Sequence, residues 1–208
     1  MDVGRRGGNT PGEVANSAAS ALPGPAPLQI TSAFSPQVAQ SARDVFFLLM
    51  LLIRPATIDD VPLLRTLIRE LAAFERELES CVIEEAELAR DGFGPNPRFR
   101  ALIAEWEGQT AGYALFFGYY STWVGRGLFL EDIFVREQFR GRGIGKALLA
   151  SVARIAVQEE CYGVQWEVLD WNEKAIELYK SLRAEFRDRW RPVMLSDDAL
   201  RRLAEKAL

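Results

Sequence analysis

The sequence predicts an α/β fold in which helices flank a mixed β-sheet. Two patterns alternate from residue 51 onward: short apolar runs with strand-like alternation, and longer stretches with apolar residues every three to four positions. Read in chain order they give βα(α)ββ(β)αβαβ, which is typical of a sheet covered by helices on both faces. The 208 residues are enough for one such domain with a short appendage.

Each predicted element has its own local signal. The first helix is expected to start at Asp59 or Asp60, which can act as N-cap, and the second to end at Gly92. Glu107 and Gly108 mark the turn of a β-hairpin. The predicted helices cover residues 61–71, 83–90, 144–158 and 172–182. The predicted strands cover residues 51–55, 100–106, 110–120, 127–135, 163–169 and 186–195.

The composition excludes several classes of function. A net charge of −4 with scattered arginines argues against a nucleic-acid-binding protein, which normally has a clustered basic face. The sequence contains no histidine, so the commonest general base and transition-metal ligand is missing. Cys81 and Cys161 stand alone and suggest neither zinc nor a disulfide framework. We therefore predict no metal, no nucleic-acid partner and a cytoplasmic location.

The first 49 residues differ from the rest of the chain. They are rich in Gly, Ala, Pro and Ser without helical or strand periodicity, which predicts a disordered extension before a domain spanning 50–208. The apolar run of residues 45–53 is too short to span a bilayer, so no membrane association is expected. Met50 stands where the ordered pattern begins. It is a candidate start of the protein, and a real flexible tail is the alternative.

The clearest candidate binding segment is RGRGIGK, residues 140–146, between a strand and a helix. Glycines at alternate positions let the backbone turn tightly, and the helix N-terminus adds partial positive charge. This combination suits a pyrophosphate. Arg140 and Ala147 exclude a Walker loop, and Lys146 breaks the dinucleotide fingerprint. From the residues alone, a plain glycine-rich turn remains an equal alternative.

A set of motifs resembles the GNAT superfamily of N-acetyltransferases. The pattern [Arg/Gln]-x-x-Gly-x-Gly follows LEDIFV, and WNEKAIELYKSL lies downstream at the family's spacing. IRPAT, RELAAFERE, DGFG, YYSTWVGR and VLDWN resemble the diamine acetyltransferase group in particular. YSTW and VLDWN look more like its thialysine-type branch. The resemblance covers residues 53–195 and implies the GNAT fold, with two parallel strands splayed at a bulge.

This resemblance implies acetyl-CoA as co-substrate and assigns residues to it. The strand before the glycine loop would pair its backbone with the pantetheine arm, and a free N–H of that strand would hold the thioester oxygen. The loop would bind the pyrophosphate, and the start of the next helix would contact the other flank. The implied cofactor-binding residues are Ile133, Phe134, Val135, Arg140, Gly141, Arg142, Gly143, Ile144, Gly145, Lys146, Asn172 and Tyr179.

Acetylation of a primary amine needs a proton acceptor and a proton donor. The ammonium group, with a pKa of about 10.4, must lose a proton, and the leaving thiolate gains from receiving one. The resemblance implies Glu131 as a base acting through water and Tyr179 as general acid. Direct attack needs no covalent intermediate, so neither cysteine is required. The residues alone favour a solvated strand end for Glu131 and Asp132 and an interior-facing helix tyrosine for Tyr179, and only their position relative to the cofactor motif favours the catalytic roles.

The amine pocket is implied by resemblance at Phe74 and Glu75, together with Glu131. A carboxylate there would attract the ammonium, and an aromatic ring could add a cation–π contact. The neighbouring acids Glu70, Glu77 and Glu79 would reinforce the field, or would form an ordinary solvated helix face. Relatives are commonly homodimers that share C-terminal strands, which suggests a homodimer here.

Two residues depart from the family pattern. Ser121 stands where the polyamine branch carries an acid, which weakens the case for long polycations. Arg183 replaces the glycine after the tyrosine helix, so an altered helix end is expected. The predicted function is therefore acetyl transfer to a small amine, such as a thialysine-like amino acid or a short diamine. The alternatives are a protein or antibiotic amine, a non-catalytic CoA-binding module, or a purely structural dimer.

Overall fold

The computed structural model describes Phe47 and residues 50–207 of the chain. The predicted disordered extension of residues 1–49 therefore lies outside the described residues, apart from Phe47. Its ring packs against that of Trp106, with centroids 5.7 Å apart. Phe47 thus contacts the domain although it precedes the predicted boundary.

A five-stranded sheet in the order β1-β2-β3-β4-β5 forms the centre of the molecule. The first four strands are antiparallel neighbours, and β5 pairs with β4 in parallel. The predicted mixed sheet is confirmed. The strands are β1 (Leu51–Pro55), β2 (Arg100–Trp106), β3 (Gln109–Ser121), β4 (Gly125–Val135) and β5 (Val164–Gln165).

Five α-helices lie within residues 61–204. They are α1 (Val61–Glu75), α2 (Glu85–Phe93), α3 (Ile144–Gln158), α4 (Glu173–Ser181) and α5 (Asp197–Ala204). Four were predicted to within a few residues, whereas α5 was not predicted. Among the helices of the described residues, none is long and apolar enough to cross a membrane.

The two faces of the sheet carry separate apolar cores. The α1-side core contains Leu64, Leu67, Leu71, Ala101, Ile103, Tyr113, Leu115 and Phe134. The α3-side core is larger and includes Leu102, Ala104, Trp106, Phe116, Leu128, Leu130, Ile144, Leu148, Val152 and Tyr179. Alternate residues of the strands point to opposite faces, so β2 and β3 supply both cores.

Two local predictions need correction. Gly92 lies inside α2, and a Cβ there would come within 2.4 Å of the Phe99 ring, so this glycine makes room for an aromatic side chain rather than ending the helix. Asp60 precedes α1 as predicted, but its carboxylate accepts hydrogen bonds from Thr57 and Arg54 instead of from the helix.

The predicted strand over residues 186–195 is wrong. These residues are described and contain no strand, and β5 covers only two of the seven positions expected. Trp190, Val193 and Met194 are 71%, 94% and 85% exposed, so the described chain leaves these three side chains uncovered. Pro192 also lacks the N–H that a ladder needs.

Candidate active site

The sheet opens between its two parallel strands. β4 and β5 pair only at Leu128 with Val164 and at Phe129 with Gln165. β4 continues to Val135 while paired on its other side with β3. Among the described residues no strand covers this second edge of β4 beyond Phe129. A wedge therefore opens where backbone N–H and C=O groups of β4 can pair with an extended ligand.

A β-bulge lies at the start of this wedge. Leu115 of β3 faces Asp132, whereas the next residue, Phe116, faces Leu130, so Glu131 is the extra residue on β4. The bulge resets the alternation, because Leu130 and Ile133 both contact the α3-side core although three positions separate them. The splayed strands that the resemblance implied are thus confirmed, and Ile133, Phe134 and Val135 lie along the open edge.

The glycine-rich loop has the backbone expected of a phosphate-binding turn. Gly141 and Gly143 have φ angles of 77° and 81°, in the left-handed region where other residues are strained. Gly143 caps the N-terminus of α3, and Ile144 anchors that end because it is 1% exposed. This arrangement leaves N–H groups and the positive end of a helix dipole beside the open edge of β4. Gly145 lies in the first turn of α3, where an added Cβ would lie 3.8 Å from Cγ2 of Val135.

The basic side chains of this loop point in different directions. Arg140 donates from Nε to the carbonyl oxygen of Val135 at 2.9 Å, and its guanidinium lies 4.6 Å from the ring centroid of Phe74. Arg142 lies 5.3 Å from the ring centroid of Trp106. Lys146 is exposed in the first turn of α3. These cationic side chains therefore do not converge on one point, and the loop backbone with the N-terminus of α3 is the feature of this segment that suits an anion.

Aromatic and cationic groups connect the two sides of the wedge. Phe74, at the end of α1, lies 5.6 Å from Trp171, which precedes α4. Arg140 contacts Phe74 from the β4 side, and Arg76 lies 5.4 Å from the Trp171 ring. The predicted pocket residue Phe74 is thus placed between the loop after β4 and the turn before α4.

The helix α4 carries the other predicted cofactor and catalytic residues. Asn172 caps this helix, its Oδ1 accepting from the Ala175 backbone N–H at 3.4 Å. Tyr179 is 6% exposed and packs edge-on against Trp166 with centroids 5.1 Å apart. Burial raises the pKa of the Tyr179 phenol above its usual range. Tyr179 therefore holds its proton at neutral pH and can donate it.

Three carboxylates form an acidic cluster of Glu75, Glu131 and Asp132. Glu131, at the bulge, is exposed to solvent. Glu75, the last residue of α1, has a raised pKa because it is partly buried and lies near Glu77. Asp132 is half-buried, and its pKa is raised to about 6: burial is the main cause, a hydrogen bond from Tyr113 acts in the opposite direction, and the nearby Glu131 and Glu75 also raise it.

Asp132 is an acidic residue of this site that the sequence analysis did not single out. It was grouped with Glu131 as a solvated strand end, because strict alternation gives no reason for both to matter. The bulge changes this, since it places Asp132 beside Tyr113 of the α1-side core. A sequence signal existed in the two consecutive acids inside an otherwise apolar strand.

The other acids near α1 are engaged elsewhere. Glu70 makes a two-pronged ion pair with Arg136, with distances of 2.7 Å to Nε and 2.8 Å to Nη2. This pair ties α1 to the end of β4. Glu77 and Glu79 are exposed, as expected of a solvated surface. The described residues contain no group of three or more acidic, cysteine or histidine side chains arranged to hold a metal ion.

Several known proteins are similar to this chain in sequence. The acetyltransferase (GNAT) family matches residues 65–183. The thialysine N-epsilon-acetyltransferase of Sus scrofa is 40% identical over 166 residues, covering 74% of this chain and 98% of the relative. The enzyme of the same name from Mus musculus is 41% identical over 163 residues, 73% of this chain and 96% of the relative.

Solved structures show the same fold at lower identity. An aminoglycoside acetyltransferase from an uncultured soil metagenomic sample, in complex with sisomicin, has a TM-score of 0.60 at 17% identity, covering 71% of this chain and 97% of its own. An aminoglycoside N-acetyltransferase in complex with CoA has a TM-score of 0.56 at 21% identity, covering 71% and 95%. At these identities the similarity concerns the fold alone.

Proposed function

Because the chain belongs to the acetyltransferase (GNAT) family, we propose that its substrate is the primary amine of a thialysine-like amino acid or a short diamine. The acetyl group comes from acetyl-CoA and passes to the amine by direct attack in a ternary complex. The observation that carries this proposal is the open edge of β4, which has a glycine-capped helix N-terminus near one end and an acidic cluster at the other.

The residues along the wedge fit acetyl-CoA. The unpaired edge at Ile133, Phe134 and Val135 offers backbone groups to an extended, amide-containing arm. The N–H groups of residues 140–146 suit a pyrophosphate, as the positive φ angles of Gly141 and Gly143 support. Asn172 and the N-terminus of α4 border the opposite flank. Acetyl-CoA supplies a thioester whose acyl group is open to attack by an amine.

Proton transfer falls to two residues on different elements. Glu131 is the base: it takes a proton from the substrate ammonium through a water molecule, for which its exposed position leaves room. Tyr179 is the general acid: after the carbon–nitrogen bond forms, it gives its proton to the thiolate sulfur as the carbon–sulfur bond breaks. The second proton of the attacking nitrogen then passes through solvent to the phenolate, which restores Tyr179. A backbone N–H of the β4 edge stabilises the negative charge on the acyl oxygen.

The amine pocket in this proposal is formed by Phe74, Glu75 and Glu131. Glu75 and Asp132 supply negative charge for an ammonium, and the Phe74 ring already carries one cation, the Arg140 guanidinium. The names of the relatives support a small amino acid with a terminal amine. Ser121 adds no charge at the position where the polyamine branch has an acid, which favours short amines over spermine.

Thiol release from acetyl-CoA measured against an amine panel tests this function. The panel contains thialysine, lysine, putrescine, spermidine, spermine and a peptide amine. Turnover of thialysine or a short diamine well above the rest is the expected result. If no amine is turned over although calorimetry detects acetyl-CoA binding, the proposed catalytic function fails. The alternative of a non-catalytic CoA-binding module is then favoured.

The proposal also includes a homodimer in the cytoplasm. Exposed aromatic and aliphatic side chains on residues 186–195 support the dimer, since large exposed apolar groups mark interaction surfaces. Cys81 and Cys161 are both free thiols, which agrees with a reducing compartment.

A further inference from the structure

Tyr113 and Asp132 form a buried pair next to the proposed amine pocket. Tyr113 lies on β3 and is fully buried in the α1-side core. Its hydroxyl donates to Oδ2 of Asp132 at 2.8 Å. Asp132 lies on β4 directly after the bulged Glu131 and directly before Ile133 of the open edge. A core tyrosine thus reaches the reacting edge of the sheet through one hydrogen bond.

The surroundings of this pair are otherwise negative. Charge on Glu75 at the end of α1 and on Glu131 of β4 raises the pKa of Asp132. Charge on Glu75 and Cys81 likewise raises the pKa of Tyr113. A cation on this face, Arg140, lies over the Phe74 and Phe134 rings. Burial and two like charges all disfavour an ionised Asp132. The Tyr113 hydroxyl acts in the opposite sense, because it stabilises the carboxylate form.

We propose that Tyr113 is a positioning residue for amine acetylation, whose hydroxyl holds Asp132 as a carboxylate beside the substrate ammonium. This inference rests on the proposed function. The pKa of Tyr113 is raised well above its usual range by burial, so the phenol stays a donor throughout the working pH range. The carboxylate of Asp132 in turn adds to the negative field that receives the amine.

The pair therefore determines the acid limb of the pH–rate profile. With Tyr113 present, Asp132 titrates at about 6 and is mostly ionised at neutral pH. Without the hydroxyl, its pKa rises, and the carboxyl group remains protonated to higher pH. If the shift is about one unit, kcat/KM for the amine at pH 6 falls roughly fivefold and returns to the wild-type value above about pH 8.5.

Tyr113→Phe tests this in the full chain because it removes only the hydroxyl. Its acid limb is expected about one pH unit higher than in the wild type, with KM for acetyl-CoA unchanged. Tyr119→Phe is the matched control: it removes another hydrogen-bonded hydroxyl of β3, which contacts Tyr162 and Gln165. In an Asp132→Asn background, Tyr113→Phe should shift nothing, because the tyrosine acts through the carboxylate.

A second measurement separates this inference from the proposed function. Carbon-13 NMR titration of the Asp132 carboxyl group requires no substrate, so it reports on the pair even if no amine is acetylated. A higher Asp132 pKa in Tyr113→Phe supports the pair. An unchanged Asp132 pKa and an unchanged acid limb would overturn the inference, whatever the activity of the protein.

Discussion

At the scale of single residues, burial determines which groups of the site hold a proton. A chain without histidine must obtain its acid and its base from side chains such as carboxyls and phenols, whose unperturbed pKa values lie far from neutrality. Tyr179 is kept protonated by burial, whereas the exposed Glu131 remains accessible to water. Two residues in different environments can therefore take opposite roles.

Tyr179→Phe is expected to lower kcat by about a hundredfold, because it removes the proton given to the leaving thiolate. The ring and its contact with Trp166 are kept, so KM for acetyl-CoA and the melting temperature should stay close to wild type. Steady-state kinetics at saturating acetyl-CoA provides the measurement. A variant with unchanged kcat would remove Tyr179 from the chemistry.

Glu75→Gln is expected to raise KM for the amine by about tenfold while that for acetyl-CoA changes little. The substitution keeps the shape of a partly buried side chain but removes the charge that attracts the ammonium. Glu79→Gln is the control, since Glu79 is an exposed acid beyond the end of α1. The opposite pattern, with only acetyl-CoA affected, would exclude Glu75 from the amine pocket.

At the scale of elements, short polar contacts hold the helix ends that frame the site. Arg54 of β1 pairs with Asp60 at 2.7 Å, and Asp60 also accepts from the backbone and side chain of Thr57. These bonds fix the start of α1. The far end of the same helix carries Phe74 and Glu75, so the anchor at one end orients the pocket at the other.

Asp60→Asn is expected to destabilise the fold by about 1–2 kcal/mol at pH 7. The hydrogen bond from Arg54 is the main cause that lowers the pKa of Asp60 to about 2, so its stabilisation is complete above the unfolded value near 3.8 and is lost as pH falls toward 2. Urea denaturation at several pH values should show the gap between variant and wild type closing in acid. The exposed neighbour Asp59 provides a control, Asp59→Asn, with little change expected. A gap independent of pH would contradict this account.

The end of α4 is regular despite its missing glycine. Arg183 adopts φ 62°, and Ala184 donates from its backbone N–H to the Tyr179 carbonyl at 3.1 Å. The expected alteration of this helix end is therefore wrong: the arginine accepts the left-handed conformation. The cost is about 1 kcal/mol.

Arg183→Gly should stabilise the protein by up to about 1 kcal/mol, since glycine adopts this conformation without a Cβ clash. The melting temperature measures the effect. Gly118→Ala on β3, where an added Cβ meets nothing within 4 Å and φ is negative, is a comparison without that relief. A destabilised Arg183→Gly variant would show that the arginine side chain makes a contact worth more than the strain.

At the scale of the whole molecule, several large apolar side chains are exposed, most of them in the C-terminal residues 186–203. Trp123, Trp190 and Met194 are 84%, 71% and 85% exposed. α5 adds Leu200 and Leu203, both more than half exposed. These side chains are the candidates for contacts in the homodimer that we propose.

Trp190→Glu is expected to convert the proposed dimer into a monomer at micromolar concentration, because buried tryptophans dominate interface energies. Analytical ultracentrifugation measures the mass directly. Val157→Glu, at an exposed apolar position on α3, is the control and should leave the association unchanged. A wild-type protein that sediments as a monomer would rule out the dimer itself.

Sequence patterns predicted most of this fold, and the failures have physical causes. The long periodic elements α1, α3 and the β2–β3 hairpin were located within one to four residues, because their apolar faces are buried in the two cores. Residues 186–195 were predicted as strand from composition, but strand formation needs a partner that the described chain does not provide. Gly92 was predicted to end a helix because glycine is common at helix ends. Its actual role, making room for the Phe99 ring, is a tertiary contact that local sequence does not reveal.

The site was predictable where a motif defines local backbone and not where it depends on register. The glycine loop has the conformation its sequence required. Asp132 and Tyr113 were missed, because one bulge on β4 decides which acid meets the core tyrosine. The side-chain directions of Arg140 and Arg142 could not be predicted from the sequence either, since each arginine packs on an aromatic ring distant in sequence.

The two-residue pairing of β4 with β5 has a consequence for local opening. The half of the domain that carries Tyr179 shares two strand-ladder pairs with β4, Leu128–Val164 and Phe129–Gln165, and is otherwise held by the packing of Tyr179 in the α3-side core. Few ladder bonds protect the backbone of β5, so its amide hydrogens should exchange far faster than those of β2 and β3. A ligand bound along the open edge would bridge both halves. Substrate binding would thus complete the sheet as well as start the reaction.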